Sequence, residues 1–89
     1  MLNDLLSVIE QSEEEKDRQF ITSLARGLSV LYSLRFYPNG ISHQQLVDST
    51  QLPKATVSRL LHTLIKLRFI RKHPSSGLYV ADSRFREMA

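Results

Sequence analysis

Residues 52–69 constrain the fold of this chain more than any other stretch. They read Leu-Pro-Lys-Ala-Thr-Val-Ser-Arg-Leu-Leu-His-Thr-Leu-Ile-Lys-Leu-Arg-Phe. Val57, Leu60, Leu61, Leu64 and Leu67 recur at helical spacing and make one apolar stripe. Pro53 suits the first helical position, where a missing N–H costs nothing and φ is already set. The opposite face carries Lys54, Ala55, Ser58, Arg59, His62 and Lys66, with no acid among them. A helix over 53–67 would be about 22 Å long at about 1.5 Å per residue. A B-DNA major groove, about 12 Å wide, accepts such a helix. Taken alone, the stretch also fits an ordinary surface helix with a solvated polar face.

Its surroundings narrow that choice. Ser42 caps a short helix over 42–50. Gln45 completes a capping box, and Ile41 can staple to Leu46. Leu46 and Val47 are expected to face inward. Thr50-Gln51-Leu52 makes a tight connection to Pro53. A helix of two turns, a connection of three residues and a longer helix with a basic face have the spacing of a helix-turn-helix. Beyond it, residues 69–73 read as a strand, Pro74-Ser-Ser-Gly77 as a turn and residues 78–81 as the returning strand. The hairpin tip is small and polar, and its arm carries Arg71, Lys72 and His73. A hairpin in that place is a wing, suited to phosphates or the minor groove. A hairpin that merely closes the core is compatible with Phe69, Ile70 and Tyr79.

Two helices are expected upstream. Over 2–16, Leu2, Leu5, Leu6 and Ile9 share a stripe with Val8 beside it. This stripe could pack on its own domain or on a second copy. Asp4 suits the first turn and the acidic run at 13–15 does not suit the last, because of the helix dipole. We therefore expect fraying there and read the run as a solvated spacer. Over 20–36, Phe20, Leu24, Leu28, Leu31 and Leu34 recur at three- and four-residue steps. Gly27 inside this helix costs about 1 kcal/mol relative to alanine, which points to close approach of another helix. Pro38 and Asn39-Gly40 end it. Residues 83–89 read as the start of a further helix capped by Ser83.

Charge sorts along the chain. Residues 1–17 carry six acids against Lys16, a net of −5, while residues 18–81 carry nine Lys or Arg against Asp48, a net of +8. A compact region of +8 points to a polyanionic partner. The basic residues are spread over several elements, which weighs against a membrane surface. The 89 residues suffice for one domain with a modest core. The chain has no cysteine, which fits a cytoplasmic location. It shows neither a signal peptide nor an apolar run of membrane-spanning length. His43, His62 and His73 fall on three elements with no acid at ligand spacing, and no glycine-rich loop follows a strand. We expect no metal, no cofactor and no enzymatic activity.

Three stretches carry a family resemblance: Ser23-Leu-Ala-Arg-Gly-Leu-Ser-Val-Leu31, Leu52-Pro-Lys-Ala-Thr-Val-Ser-Arg-Leu-Leu-His-Thr-Leu64 and Gly77-Leu-Tyr79. Across residues 20–80 the chain resembles the N-terminal DNA-binding domain of the isocitrate-lyase-regulator (IclR) family of bacterial transcription regulators. The Ser-Leu-Ala-Arg-Gly-Leu string is similar to the branch governing protocatechuate and 4-hydroxybenzoate catabolism. The resemblance implies a dimer on a pseudo-palindromic operator, with the helix at 53–67 in the major groove. It also implies a small-molecule-sensing C-terminal domain, reached through the helix that begins near Ser83. That domain is absent from this chain, so an effector would act only through it. Two positions depart from the family pattern. Gln51 and Arg68 stand where glycine is usual, and Arg68 at the helix end would have to adopt φ > 0 unless the helix ends differently.

The expectation is thus a mainly α fold with a small β-hairpin, a winged helix-turn-helix preceded by an extra N-terminal helix. Residues 1–17 form an acidic helical extension, 18–82 the DNA-binding domain and 83–89 the start of a linker helix. Lys54, Ala55, Ser58 and Arg59 are the candidates for base edges, since Arg meets guanine and Ala a thymine methyl. Thr56, Ser42, His43, Gln44, Arg26, Arg71, Lys72, Ser75 and Ser76 are candidates for phosphates, the wing being 69–81. The expected partners are double-stranded DNA and a second copy, paired through the N-terminal helices. The competing expectation is a winged-helix module that docks on an acidic protein.

Overall fold

A computed structural model describes residues 2–88, with side chains from residue 4 onward. Helix α1 spans Leu2–Glu14 and α2 spans Thr22–Ser33, running into a 3-10 turn at Leu34–Phe36. α3 (His43–Thr50) and α4 (Lys54–Lys66) follow, then strands β1 (Ile70–Lys72) and β2 (Tyr79–Ala81) and helix α5 (Ser83–Met88). The strands pair antiparallel, with Arg71 opposite Val80. The chain is therefore mainly helical with one hairpin, in the element order of a winged helix-turn-helix.

The core lies where α2, α3, α4 and the hairpin converge. Val30, Ile41, Leu46 and Val57 are fully buried there, with Leu31, Leu34, Leu61, Leu64 and Ile70 around them. Each such side chain contributes about 1.5–3 kcal/mol on leaving water. The stripe on α4 is thus narrower than its spacing predicts. Val57, Leu61 and Leu64 are buried and Leu60 is half-buried, while Leu67 at the helix end is exposed. The α2 stripe is displaced more. Leu31 and Leu34 face the core as expected, but Leu24 and Leu28 face out, and Ser29 and Ser33 take buried places. Their hydroxyls are satisfied within the helix, by Arg26 O at 2.6 Å and Ser29 O at 2.9 Å. Gly27 is not demanded by packing, because a Cβ there would meet only Leu60 Cδ2 at 4.0 Å.

α1 packs on its own domain. Ile9 is buried, and Leu6 and Ile9 close over Ser29, Thr50 and Leu52. Leu2 falls outside the described side chains. The acidic end stays helical to Glu14.

The helix ends correct several sequence expectations. Ser42 forms the full capping box with Gln45, as its spacing predicts. Pro53 is not the first helical residue. Its ψ of 149° is extended, so it is the N-cap, and the helix begins once the chain has turned out of the connection. Ser83 lies inside α5, and Asp82 caps that helix by accepting the Arg84 N–H at 3.0 Å. Asp82 precedes the first helical residue and so reaches the free amide. Gln51 (φ 59°) and Arg68 (φ 67°) both adopt the left-handed conformation. At Gln51 the N–H returns to Val47 O at 2.8 Å. At Arg68 the pattern is a Schellman motif, with Phe69 N–H on Leu64 O at 2.9 Å and Arg68 N–H on Ile65 O at 3.0 Å.

One long-range pairing was not legible beforehand. Ile41 and Tyr79 exchange both backbone hydrogen bonds, at 2.9 and 2.8 Å. This bridge ties the hairpin to the segment entering α3. Gly40 makes it possible: at φ 113°, a Cβ there would sit 2.7 Å from Leu78 Cβ. Phe85 of α5 stacks on Phe69 at 5.4 Å, closing the base of the hairpin.

Candidate nucleic-acid interface

The left-handed turn at Gln51 aims α4 across α3, and the buried stripe fixes its rotation. Lys54, Ala55, Ser58, Arg59, His62 and Lys66 are consequently all exposed. No acid occurs on α4 or in the hairpin. Among the described residues, neither the Lys54 nor the Arg59 side chain has a hydrogen-bond or ion-pair partner. The result is a cationic helix face with free donors, a geometry able to meet base edges or phosphates.

Ser58 differs from its neighbours, because its hydroxyl lies 2.9 Å from His43 Nε2. That contact joins the first residue of α3 to the outward face of α4. Gln44 donates to Asp48 at 2.9 Å and engages the one acid of the basic region. Ser42 is occupied in its capping box, and Thr56 is half-buried beside Arg59.

The Ile41–Tyr79 bridge sets the segment entering α3 beside β2, on the edge opposite β1. Arg71 and Lys72 are exposed, with Lys72 Nζ 5.6 Å above the Tyr79 ring. At the tip, His73 Nδ1 accepts the Ser75 N–H at 3.3 Å and meets the Ser75 hydroxyl at 3.0 Å. Ser76 Oγ accepts the Leu78 N–H at 3.2 Å. These two serines therefore shape the tip as well as exposing it.

Arg26 stands apart. It lies at the edge of the groove holding Thr56 and Arg59, but Glu13 of α1 holds its guanidinium at 3.3 Å. Its Nε is buried without a partner. Glu13 was not a candidate from sequence, since thirteen residues separate the pair and only the docking of α1 joins them. No group of three or more metal-binding side chains occurs among the described residues.

Comparison with known proteins matches residues 23–74 to the IclR helix-turn-helix domain. The chain belongs to this family. It is 43% identical over 73 residues to the HTH-type transcriptional regulator TsaQ1/TsaQ2 of Comamonas testosteroni, covering 80% of this chain and 25% of that protein. It is 43% identical over 53 residues to the Pca regulon regulatory protein of Pseudomonas putida, covering 60% and 18%. The crystal structure of an IclR family transcriptional regulator from Brucella abortus superposes with a TM-score of 0.75 at 46% identity, over 85% of this chain and 29% of that one. The chain thus spans between 18% and 29% of the length of these relatives. No helix among the described residues is long and apolar enough to cross a membrane.

Proposed function

We propose that the chain is the sequence-specific duplex-DNA-binding domain of a cytoplasmic bacterial transcription regulator, with no catalytic activity of its own. The exposed, acid-free face of α4, with Lys54 and Arg59 unpaired, carries this reading. α4 enters the major groove, where Lys54, Ala55, Ser58 and Arg59 meet base edges. Thr56, Ser42, His43 and Gln44 at the helix starts contact phosphates, as do Arg71, Lys72, Ser75 and Ser76 of the wing. Arg26 joins them once a phosphate competes with Glu13. Residues 1–17 are an acidic extension and 18–82 the binding domain. Residues 83–89 begin a linker to an effector-sensing domain.

The likeness to the Pca regulon regulatory protein supports a role in protocatechuate or 4-hydroxybenzoate catabolism. Two copies bind a pseudo-palindromic operator. They pair through their N-terminal helices, where Val8 of α1 stays exposed beside the buried Ile9.

The test is an operator recovered by selection from random duplexes. Arg59→Ala should weaken operator binding by about 1–3 kcal/mol and relax one base preference. Equal weakening on random DNA would make Arg59 a phosphate contact. Binding to random duplex should fall steeply with salt. No binding even at low salt would sink the DNA reading and favour an acidic protein partner.

A further inference from the structure

α3 and α4 are joined by a polar contact between side chains. The His43 ring lies half-buried at the first residue of α3, and its Nε2 is 2.9 Å from the hydroxyl of Ser58 on the exposed face of α4. Hydroxyls inside helices often bond the carbonyl four residues earlier. Thr50 does so to Leu46 O at 2.6 Å and Thr63 to Arg59 O at 3.1 Å. Ser58 does not, and among the described residues His43 is its one hydrogen-bond partner. The capping box of Ser42 and Gln45 fixes the first turn of α3 and so the base of the ring. Among the described residues no charged group bonds either side chain. Asp48 of α3 is engaged by Gln44, while Lys54, Arg59 and His62 share the exposed face of α4.

A hydroxyl has one proton and two lone pairs, and a neutral imidazole has one donor and one acceptor nitrogen. Two arrangements therefore fit the 2.9 Å contact. In the first, Ser58 donates to Nε2, which leaves its own lone pairs and the Nδ1–H of His43 free. In the second, the Nε2–H donates to Ser58, which leaves the Ser58 proton and a bare Nδ1 lone pair free. We propose that DNA selects the first, so that His43 positions Ser58 as a hydrogen-bond acceptor and α4 reads an amino-bearing base, adenine or cytosine, at that point. The step rests on the proposed placing of His43 at a phosphate. An Nδ1–H donates to a phosphate oxygen, whereas a bare lone pair would meet its negative charge. In the major groove only adenine N6 and cytosine N4 donate, while guanine O6 and thymine O4 accept. A serine by itself reads either kind of edge, because its hydroxyl rotates. The ring removes that freedom, so a residue of α3 sets what a residue of α4 reads.

The test compares operators selected from random duplexes by the parent chain and its variants. The parent should select adenine or cytosine at the position whose preference Ser58→Ala abolishes. His43→Phe keeps a ring but no acceptor. It should lower the preference at that position about three- to tenfold, the worth of one hydrogen bond, and leave other positions as they were. In a Ser58→Ala background, His43→Phe should change no base preference, a result that a merely structural role for the ring does not give. Ring nitrogen chemical shifts of His43 in the complex should place its proton on Nδ1. Acidification that protonates His43, followed on the same signals, makes both nitrogens donors. The preference should then turn toward guanine or thymine at the Ser58 position. Selection of guanine or thymine there by the parent at neutral pH would overturn the proposal, as would a proton on Nε2 in the complex. So would a His43→Phe effect spread evenly over all positions, or a Ser58→Ala variant with unchanged preferences. Each of these outcomes is read on bound duplex and leaves the DNA reading standing, whereas a parent that binds no duplex would sink both.

Discussion

Two residues bear the cost of aiming the recognition helix. Gln51 and Arg68 hold φ near +60° without being glycine, a conformation costing roughly 1–2 kcal/mol for a residue with a Cβ. Gln51→Gly and Arg68→Gly should each raise the unfolding free energy by about 0.5–1 kcal/mol, less than the full strain because glycine adds entropy to the unfolded chain. Urea unfolding measures this, and a loss of stability at either site would mean that its side chain makes a stabilising contact. Gly40 is the converse case. Gly40→Ala should cost about 1–3 kcal/mol through overpacking against Leu78, with backbone strain in addition. Amide exchange at Tyr79 should speed up as the bridge to Ile41 opens. The departures from glycine at 51 and 68 were visible in the sequence, and so was the turn chemistry around Gly40. The contact that makes Gly40 indispensable was not, because Leu78 is 38 residues away along the chain.

At the scale of elements, the wing is tied to the helix-turn-helix by the Ile41–Tyr79 backbone bridge and by Ile70, which shares the core with Leu46 and Val57. The capping box of α3 and the stripe of α4 are local patterns, which is why they could be read without coordinates. The outer face of α2 could not. Its leucines recur every three or four residues on both sides of the helix, and periodicity does not say which side meets the core. Seeing Ser29 and Ser33 inside and Leu24 and Leu28 outside required the docked α1 and α4. The wing makes its own prediction. Lys72→Ala should lower the salt slope of DNA binding by about 1, measured by titrating affinity against salt. An unchanged slope would remove the wing from the phosphate footprint. His73→Ala should leave that slope nearly intact but loosen the tip, since the Ser75 N–H and hydroxyl lose their acceptor. Faster amide exchange at Ser75 would report it.

For the whole molecule, the acidic extension and the basic body are coupled rather than merely adjacent. The Glu13–Arg26 pair is half-exposed and stabilises little by itself. It nevertheless occupies a cation beside the recognition helix. Glu13→Gln should tighten binding to random duplex and steepen the salt slope by about 1. The excess over Glu14→Gln, which removes the same charge, should vanish in an Arg26→Ala background. Equal effects of the two glutamate changes would reduce the pair to long-range electrostatics.

The sequence by itself determined the cationic face on residues 54–66, the capping box at Ser42, the hairpin and the family, because each rests on residues within a few positions of one another. Tertiary structure decided which side of α2 is buried, that α1 folds back and holds Arg26, and that the wing is pinned to the entry of α3. Those outcomes depend on contacts between distant segments, where burial of one apolar face is weighed against another and no local pattern records the winner. The stretch at 52–69 joins the two kinds of information. Its periodicity names the helix, and two strained residues at its ends, held in place by the packing around them, set its direction.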